Sequence, residues 1–361
     1  MRVAYTLEQC WHPVPGGTAV ATLALARALL ATGAVDVLGV AGRHRHPPRA
    51  EFQPPVPVHQ LALARPWLYE TWNRFEWPPV ERATGPVDVC HSTTAIPAPT
   101  RAAHVVTVHD VAFVHTPERF TAHGVRTMRA GLERCRAADV VLCPSSATAA
   151  DLAELGFDPE WVRVVPWGVT VAVAGADAIS RVRAAYTLPE RFVLFVGTVE
   201  PRKNLARLAD AVAAVEPGLP LVVAGADGWG AADVEGSHVR FLGFVPDADL
   251  AALYGAADVF AYPSLQEGFG LPVAEAMAAG VPVVTSAGGA TAEVAGDAAV
   301  LVDPHSTESI AAGIRTALAD PEPWRQRGPA RAAGLTWERA AAATVDAYRA
   351  AIARHVERRP A

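Results

Sequence analysis

Short apolar runs alternate with longer helical stretches along almost the whole chain. In the first half the runs cover residues 3–7, 87–91, 105–110, 140–145 and 162–168. In the second half they cover residues 192–196, 221–224, 239–242, 259–262, 281–285 and 299–302. Because strands that are buried on both faces are apolar throughout, this alternation predicts parallel sheets covered by helices. We therefore predict an α/β fold of two doubly wound domains, whose ligands bind beyond the carboxyl ends of the strands.

A change in periodicity marks the predicted domain boundaries. The 361 residues exceed the length of one average domain. We predict a first domain over residues 1–170, a linker with weak apolar periodicity over residues 171–189, and a second domain over residues 190–336. A last helix is predicted over residues 337–353.

Composition and charge narrow the classes of function. Hydrophobic residues make up 51% of the chain and charged residues 19%, which is typical of a packed protein. The net charge of −6 argues against a nucleic-acid partner, which needs a basic face. Residues 1–185 hold 17 Arg against 16 acidic residues, so this half is the one expected to meet anionic acceptors or a membrane surface. Since no apolar run approaches about 18 residues and the N-terminus reads as a strand, we expect a cytoplasmic protein.

The most informative stretch runs from Glu267 to Gly280 and predicts a loop followed by a short helix. Pro272 suits the first helical position, and Gly280 suits a left-handed residue that ends the helix. Two carboxylates, Glu267 in the loop and Glu275 in the expected first turn, have seven residues between them. The backbone N–H groups expected to converge on an anion belong to Gly268, Phe269, Gly270 and Leu271.

An anion site between two carboxylates suits a ligand with phosphate at its centre and hydroxyl groups at both ends. A nucleotide sugar has this layout. The alternative is a simple turn, followed by a glutamate that only interacts with the helix dipole.

A second candidate loop, Gly197-Thr-Val-Glu-Pro-Arg-Lys-Asn204, precedes a predicted helix over residues 205–215, with Asn204 as its N-cap. Arg202 and Lys203 would lie at the helix N-terminus, where charge and dipole favour a diphosphate. Lys203 is the only lysine among 31 basic residues, which indicates a need for a compact point charge. Two exposed basic residues without a function are the alternative.

Two further candidates lie in the first predicted domain. Gly16 and Gly17 precede the first predicted helix and can form a second amide nest for phosphate. His109 and Asp110 end a predicted strand, at the sheet edge where ligands bind. A purely structural histidine is the alternative here.

These strings, in this order, resemble the retaining glycosyltransferases of family 4, which have the GT-B fold of two Rossmann-like domains facing across a cleft. The resemblance is carried by the Glu267-x7-Glu275 pattern, the loop at 197–204 and the string Thr-Val-His109-Asp-Val-Ala-Phe, and it extends over nearly the whole chain. It implies that the last helix crosses back to the first domain.

The resemblance implies roles for the second-domain candidates. Glu267 would contact the transferred sugar, Glu275 would hold the ribose, and Arg202 with Lys203 would bind the diphosphate. Many members have Gly-Arg where this chain has Gly197-Thr, so we expect Arg202 to replace that basic contact.

The resemblance also implies roles for four other residues. His109 would contact the donor sugar from the first domain, while Asp110 would orient the imidazole or receive an acceptor hydroxyl. The nucleobase would meet the backbone of the segment that contains Phe244 and Val245.

The activity implied is transfer of a hexose from a nucleoside diphosphate sugar to an acceptor hydroxyl of a glycan or a lipid-linked acceptor, with retention and without a metal or a cofactor. By analogy the loop at 197–204 favours GDP-mannose. Front-face attack and a covalent intermediate both stay open. Alternatives are a Rossmann-type epimerase or oxidoreductase, a catalytically silent nucleotide-sugar-binding protein, and a sugar phosphorylase or synthase. The first of these needs a Gly-x-Gly-x-x-Gly string that Pro15-Gly-Gly-Thr18 does not match.

Residues 65–77 hold three of the nine tryptophans. Leu68, Trp72 and Phe75 would share one helical face, which is typical of core packing. The alternative is an interfacial or acceptor-binding surface, through which the protein would contact the inner face of the cell membrane.

Overall fold

The computed structural model describes residues 1–170, 173–226, 234, 236 and 238–358. It divides into two compact units, one formed by Met1–Gly168 together with the segment that begins at Trp337, and the other by Val169–Thr336. Each unit is built on a single parallel sheet, so the predicted α/β class with two Rossmann-like domains is confirmed.

The first unit contains a seven-stranded parallel sheet in the order β3-β2-β1-β4-β5-β6-β7. Its strands are β1 Arg2–Thr6, β2 Asp36–Ala41, β3 Val58–Gln60, β4 Val89–Ser92, β5 Ala103–Thr107, β6 Val140–Cys143 and β7 Val162–Val164. Its helices before the crossover to the second unit are α1 Gly16–Ala31, α2 Trp67–Phe75, α3 Glu81–Thr84, α4 Ala112–His115, α5 Ala122–Cys135 and α6 Ser146–Glu154. The apolar runs did not predict β2 and β3, because β2 contains a glycine and β3 is a short, polar edge strand.

The second unit contains a six-stranded parallel sheet in the order β10-β9-β8-β11-β12-β13. Its strands are β8 Val193–Val196, β9 Leu221–Ala224, β10 Val239–Gly243, β11 Val259–Tyr262, β12 Val283–Ser286 and β13 Val300–Val302. Its helices are α7 Ala176–Ala185, α8 Leu205–Val215, α9 Asp247–Ala256, α10 Leu271–Ala278, α11 Gly289–Ala295, α12 Thr307–Ala319 and α13 Glu322–Ala332. The strand order reverses at β8, and ligands of such sheets bind beyond the carboxyl ends of the strands at that point.

The prediction of a linker over residues 171–189 was wrong in its described part. Helix α7 fills most of this segment and packs against α9. Val182 is completely buried, and Arg183 donates a hydrogen bond of 2.6 Å to the backbone oxygen of Ala256. The apolar contacts of α7 are too widely spaced to give a strong periodic signal, yet they are sufficient to fix the helix to the second unit.

The last helix, α14 (Trp337–Arg358), belongs to the first unit and packs against α1 and β5. The buried residues Ala340, Ala341 and Ala351 are small, so α14 can lie close to α1 and the sheet. The hydroxyl of Tyr348 lies 2.7 Å from Nδ1 of the buried His91. An alanine-rich seam with one polar contact in its centre therefore fixes α14 to the sheet.

Candidate functional site

Glycines on both sides of α10 adopt the positive φ angles that favour glycine. Gly270 has φ = 98°, and a Cβ there would lie 2.9 Å from a methyl carbon of Thr291. Gly280 has φ = 76° and follows the end of α10, as predicted. The four residues whose amides were predicted to face an anion, 268–271, are all buried at the N-terminus of this helix. Glu275 is the fifth helical residue, so its expected place in the first turn was wrong.

Glu267 is fixed by three groups that contact the same carboxylate oxygen. The hydroxyls of Tyr262 and Ser264 donate to Oε1 at 2.8 and 3.0 Å, and Nη1 of Arg202 lies 2.8 Å from it. Among the residues that the structure describes, none donates a hydrogen bond to the second oxygen, Oε2. Burial raises the pKa of Glu267, but Arg202, Lys203 and the Tyr262 hydroxyl outweigh it and hold the pKa below its ordinary value. The site therefore presents an ionised carboxylate with one oxygen available to a ligand.

Arg202 lies between two carboxylates. Its Nε donates to Oε2 of Glu200 at 2.9 Å, its Nη1 pairs with Glu267, and the same Nη1 donates to the backbone oxygen of Gln266 at 3.1 Å. Glu200 is only 5% exposed, and its Oε1 accepts from the Thr198 hydroxyl at 2.5 Å. The two carboxylates offset the charge of Arg202. These contacts indicate that Arg202 holds the Glu267 carboxylate in position.

Glu200 was not among the predicted site residues. The only signal in the sequence was that this glutamate lies two positions before Arg202, in the loop at 197–204 that was already a candidate phosphate site. Tyr254, Tyr262 and Ser264 were missed as well, because their spacing resembles that of ordinary core residues.

Lys203 is buried to 93%, with its ammonium 5.6 Å from the centre of the Tyr262 ring. Within the described part of the chain, no acceptor lies within hydrogen-bonding or ion-pairing distance of Nζ. Burial lowers the pKa of Lys203, although the nearby Glu267 acts in the opposite direction. Gly197 has φ = 148°, which favours glycine, and a Cβ there would lie 2.6 Å from Nζ and displace the ammonium. A buried cation without a partner is a group that an anionic ligand would satisfy.

The predicted N-cap role of Asn204 was only partly right. Helix α8 spans the predicted residues, but Asn204 has φ = 63° and its side chain does not cap the helix. Its Nδ2 donates instead to the backbone oxygens of Pro263 and Pro304, at 3.0 and 2.6 Å. The side chain thus fixes the Lys203 loop to the segment that follows β11.

Glu275 accepts a hydrogen bond of 2.9 Å from the hydroxyl of the fully buried Tyr254. Burial raises the pKa of Glu275 to about 7, although the Tyr254 hydroxyl acts in the opposite direction.

Near β10, Phe244 is 49% exposed while Val245 is buried, so of these two predicted base contacts only the phenylalanine side chain is accessible.

His109 lies in the first unit, in the wall of a small cavity of about 20 Å³ beside α1. Its Nε2 lies 2.7 Å from the backbone oxygen of Thr93, and because a carbonyl can only accept, Nε2 carries the hydrogen. The other nitrogen, Nδ1, is buried and has no hydrogen bond among the described residues. Burial lowers the pKa of His109, with the Thr93 carbonyl and Asp110 acting in the opposite direction. The imidazole is therefore neutral and offers Nδ1 as an acceptor.

The remaining first-unit candidates have simple local contacts. The carboxylate of Asp110 accepts from the backbone N–H of Ala112 at 3.0 Å, at the start of α4, and Thr93 is the residue that orients His109. Gly16 and Gly17 are the first two residues of α1, and Gly16 has φ = 62°.

No group of three or more His, Cys, Asp or Glu side chains in the described ranges is arranged to hold a metal ion. The sequence does contain one Asp-x-Asp string, Asp247-Ala-Asp249, which the prediction of no metal site did not take into account. In the structure Asp249 accepts from the Tyr186 hydroxyl at 3.0 Å and pairs with Arg181 at 3.5 Å.

Comparison with known proteins identifies the family. Residues 15–173 match the family Glycosyltransferase Family 4, and residues 180–332 match Glycosyl transferases group 1. O-antigen chain mannosyltransferase B of Escherichia coli is 36% identical over 271 residues, which cover 68% of this chain and 70% of that protein. The chain belongs to glycosyltransferase family 4. The predicted resemblance is thereby confirmed.

Two other relatives of this glycosyltransferase are covered over little more than half of their length. The D-inositol 3-phosphate glycosyltransferase of Kineococcus radiotolerans is 36% identical over 253 residues, 60% of this chain and 58% of that protein. The Mycolicibacterium hassiacum MMP alpha-(1->4)-mannosyltransferase is 34% identical over 236 residues, 59% of this chain and 54% of that protein.

Solved structures show the same fold at low sequence identity. The Anabaena protein Alr3699/HepE, solved in complex with UDP and glucose, has a TM-score of 0.73 at 20% identity and covers 96% of this chain and 99% of its own. WaaG, a glycosyltransferase involved in lipopolysaccharide biosynthesis, has a TM-score of 0.68 at 20% identity, with 96% and 99% covered. The fold is therefore that of the GT-B glycosyltransferases.

Residues 65–77 divide into a buried and an exposed part. Leu68 and Trp72 are core residues, and Nε1 of Trp72 donates to the Pro78 oxygen at 3.1 Å. Phe75 is 73% exposed, so the prediction that it shares their buried face was wrong, and Trp67 is 69% exposed. None of the described helices is both long enough and apolar enough to cross a bilayer.

Proposed function

We propose that this family 4 enzyme transfers mannose from GDP-mannose to a hydroxyl of a glycan or lipid-linked acceptor, with retention at the anomeric carbon and without a metal. The observation that carries the proposal is the buried ammonium of Lys203, which has no hydrogen bond or ion pair among the described residues and lies near the Arg202–Glu267 pair, at the carboxyl ends of β8 and β11. The names of the E. coli and M. hassiacum relatives support mannose as the sugar.

Each group has a role that its contacts allow. The leaving diphosphate gains charge as the glycosidic bond breaks, and Lys203 with the N-terminus of α10 would stabilise that charge in a preorganised, partly desolvated site. Oε2 of Glu267 would accept from a hydroxyl of the donor sugar, while Arg202 and Tyr262 hold the carboxylate in place. Glu275 would accept from the ribose, and the base would lie beside Phe244 and Val245.

The first unit would contribute the neutral imidazole of His109 to the donor sugar and Asp110 to the acceptor hydroxyl. Gly16 and Gly17, with no side chains at the start of α1, would allow a close approach of the donor. A neutral imidazole with Nδ1 available accepts from a sugar hydroxyl without adding a positive charge to the site.

Donor and stereochemistry are tested together. Purified enzyme is supplied with GDP-mannose, UDP-glucose or UDP-galactose in the presence of excess EDTA, and NMR reports the anomeric configuration of the product. We expect turnover with GDP-mannose and an α-linked product. Turnover with UDP-sugars alone contradicts the donor assignment, a β-linked product contradicts retention, and activity that requires added magnesium contradicts the metal-free mechanism.

We also propose a peripheral contact with the inner face of the cell membrane through the exposed Trp67 and Phe75 on α2. Exposed aromatic rings favour the water–lipid boundary. In liposome sedimentation, Trp67→Ser with Phe75→Ser should abolish binding and leave the melting temperature unchanged, whereas Val356→Ser, which alters an exposed residue of α14, should bind like the wild type. Absence of binding by the wild type would refute the contact.

A further inference from the structure

A second cavity lies in the first unit beyond the carboxyl end of β2, and neither the family roles nor the proposed donor site uses it. It has a volume of about 370 Å³ and is open to solvent. Its polar lining contains one guanidinium, two imidazoles and two amides, from Arg45, His44, His46, Gln53 and Gln60. None of the described residues that line it carries a carboxylate. Its chemistry therefore favours an anion.

Glu8 contacts one imidazole of the lining and Glu51 belongs to the same loop, but neither forms an ion pair with Arg45. Glu8 is 3% exposed and lies behind His44, with Oε2 3.0 Å from Nε2 of that ring and 2.7 Å from the backbone nitrogen of Gly42. Glu51 is exposed and does not line the cavity. Arg45 is exposed and has no ion pair within the described residues. Its charge is thus available to a ligand.

The cavity wall is held in place before any ligand binds. The Trp11 ring stacks on His44 with centroids 4.5 Å apart and 9° between the planes, and its Nε1 donates to the backbone oxygen of His46 at 2.9 Å. Gln60 accepts from the His44 backbone N–H at 3.3 Å, so its amide NH₂ is directed elsewhere. The loop over residues 42–57 also contains five prolines, which restrict the backbone of the unbound state.

We propose that this cavity binds the phosphate group of a phosphorylated carbohydrate acceptor. Arg45 would pair with phosphate oxygens, since a guanidinium matches phosphate geometry, and His46 and Gln60 would add donors. The exposed edge of the Trp11–His44 stack would face the sugar ring. This inference rests on the proposed function, because it assigns the ligand to the acceptor. The phosphate can come from a soluble sugar phosphate or from a lipid-linked one.

The test uses the full chain with Lys203→Met, which removes the other predicted phosphate site. Binding of mannose 6-phosphate, inorganic phosphate and mannose is measured by calorimetry in one arm. Sedimentation with phosphatidylcholine vesicles that contain polyprenyl phosphate is the second arm. Arg45→Gln with His46→Gln is compared with Arg49→Gln, which makes the same charge change in the same loop outside the cavity lining.

Loss of a charge-assisted contact should weaken phosphate binding by about 10- to 100-fold in the double variant, and Arg49→Gln should change it less than twofold. A loss in the calorimetric arm supports a soluble sugar phosphate, and a loss confined to the vesicle arm supports a lipid-linked one. Binding that is unaffected in both arms, that falls equally with Arg49→Gln, or that is absent from the Lys203→Met protein overturns the proposal. Hydrolysis of GDP-mannose by the enzyme with Lys203 intact needs no acceptor, so it reports separately on the proposed function.

Discussion

Glu275 offers a quantitative test of the second-unit site. Burial raises the pKa of its carboxyl group from 4.5 to about 7, which means that folding disfavours its ionised form. At 1.36 kcal/mol for each pKa unit, ionised Glu275 reduces the free energy of unfolding by up to about 3 kcal/mol. Glu275→Gln removes this cost, because the amide oxygen can still accept from Tyr254 and carries no charge.

The sign of the pH dependence follows from proton binding. Below about pH 4.5 the carboxyl group is protonated in both the folded and the unfolded state, so the wild type and Glu275→Gln should have similar stability. Between about pH 4.5 and pH 7 the unfolded state releases this proton while the folded state keeps it, so the free energy of unfolding of the wild type falls, and the loss is complete above about pH 7. At pH 8.5 the variant should therefore melt at a temperature about 5–10 °C higher, the shift expected for this free energy in a unit of this size.

The assay is thermal unfolding of the ligand-free protein between pH 4.5 and 8.5, with the transition of the second unit assigned by adding nucleotide. Glu190→Gln, which alters an exposed carboxylate of the same unit, is the matched control and should shift the melting temperature by less than about 1 °C. A gain by Glu275→Gln that is equal at all pH values, or a loss of stability at pH 8.5, would refute the reasoning.

Three further outcomes are expected at the same site. In GDP binding by calorimetry, the wild-type affinity should fall as the pH drops below about 7, because the ribose needs the ionised Glu275; an unchanged affinity down to pH 5.5 would argue against the ribose contact. Lys203→Met should cut turnover by about 100-fold or more and leave the melting temperature equal or higher, and a fully active variant would remove the phosphate assignment. Glu200→Gln should lower turnover with the affinity for free GDP unchanged, since Arg202 would hold Glu267 less firmly; a parallel loss of GDP affinity would indicate a general collapse of the loop, which the melting temperature would report.

The sequence by itself determined the features that depend on local chemistry. The strands of the second unit were all predicted from their apolar runs, because a short run rich in apolar and β-branched residues can be recognised without knowledge of its partners. The α10 segment was predicted from Pro272, whose φ is fixed, and from Gly280, which adopts a left-handed conformation without steric cost, and both properties hold in any context. The order of the motifs was also sufficient to identify the family.

Only the tertiary structure decided which groups meet and what charge they carry. Glu200, Arg202 and Glu267 form one network although the last two are 65 positions apart, so no spacing rule could have placed them together. The segment predicted as a linker forms helix α7, which is stabilised by packing on α9. Its weak apolar periodicity did not predict this packing. The pKa of Glu275 depends on the side chains that bury it, and these come from separate elements of the second unit. Burial is a property of the folded chain, so the sequence pattern alone could not give this pKa.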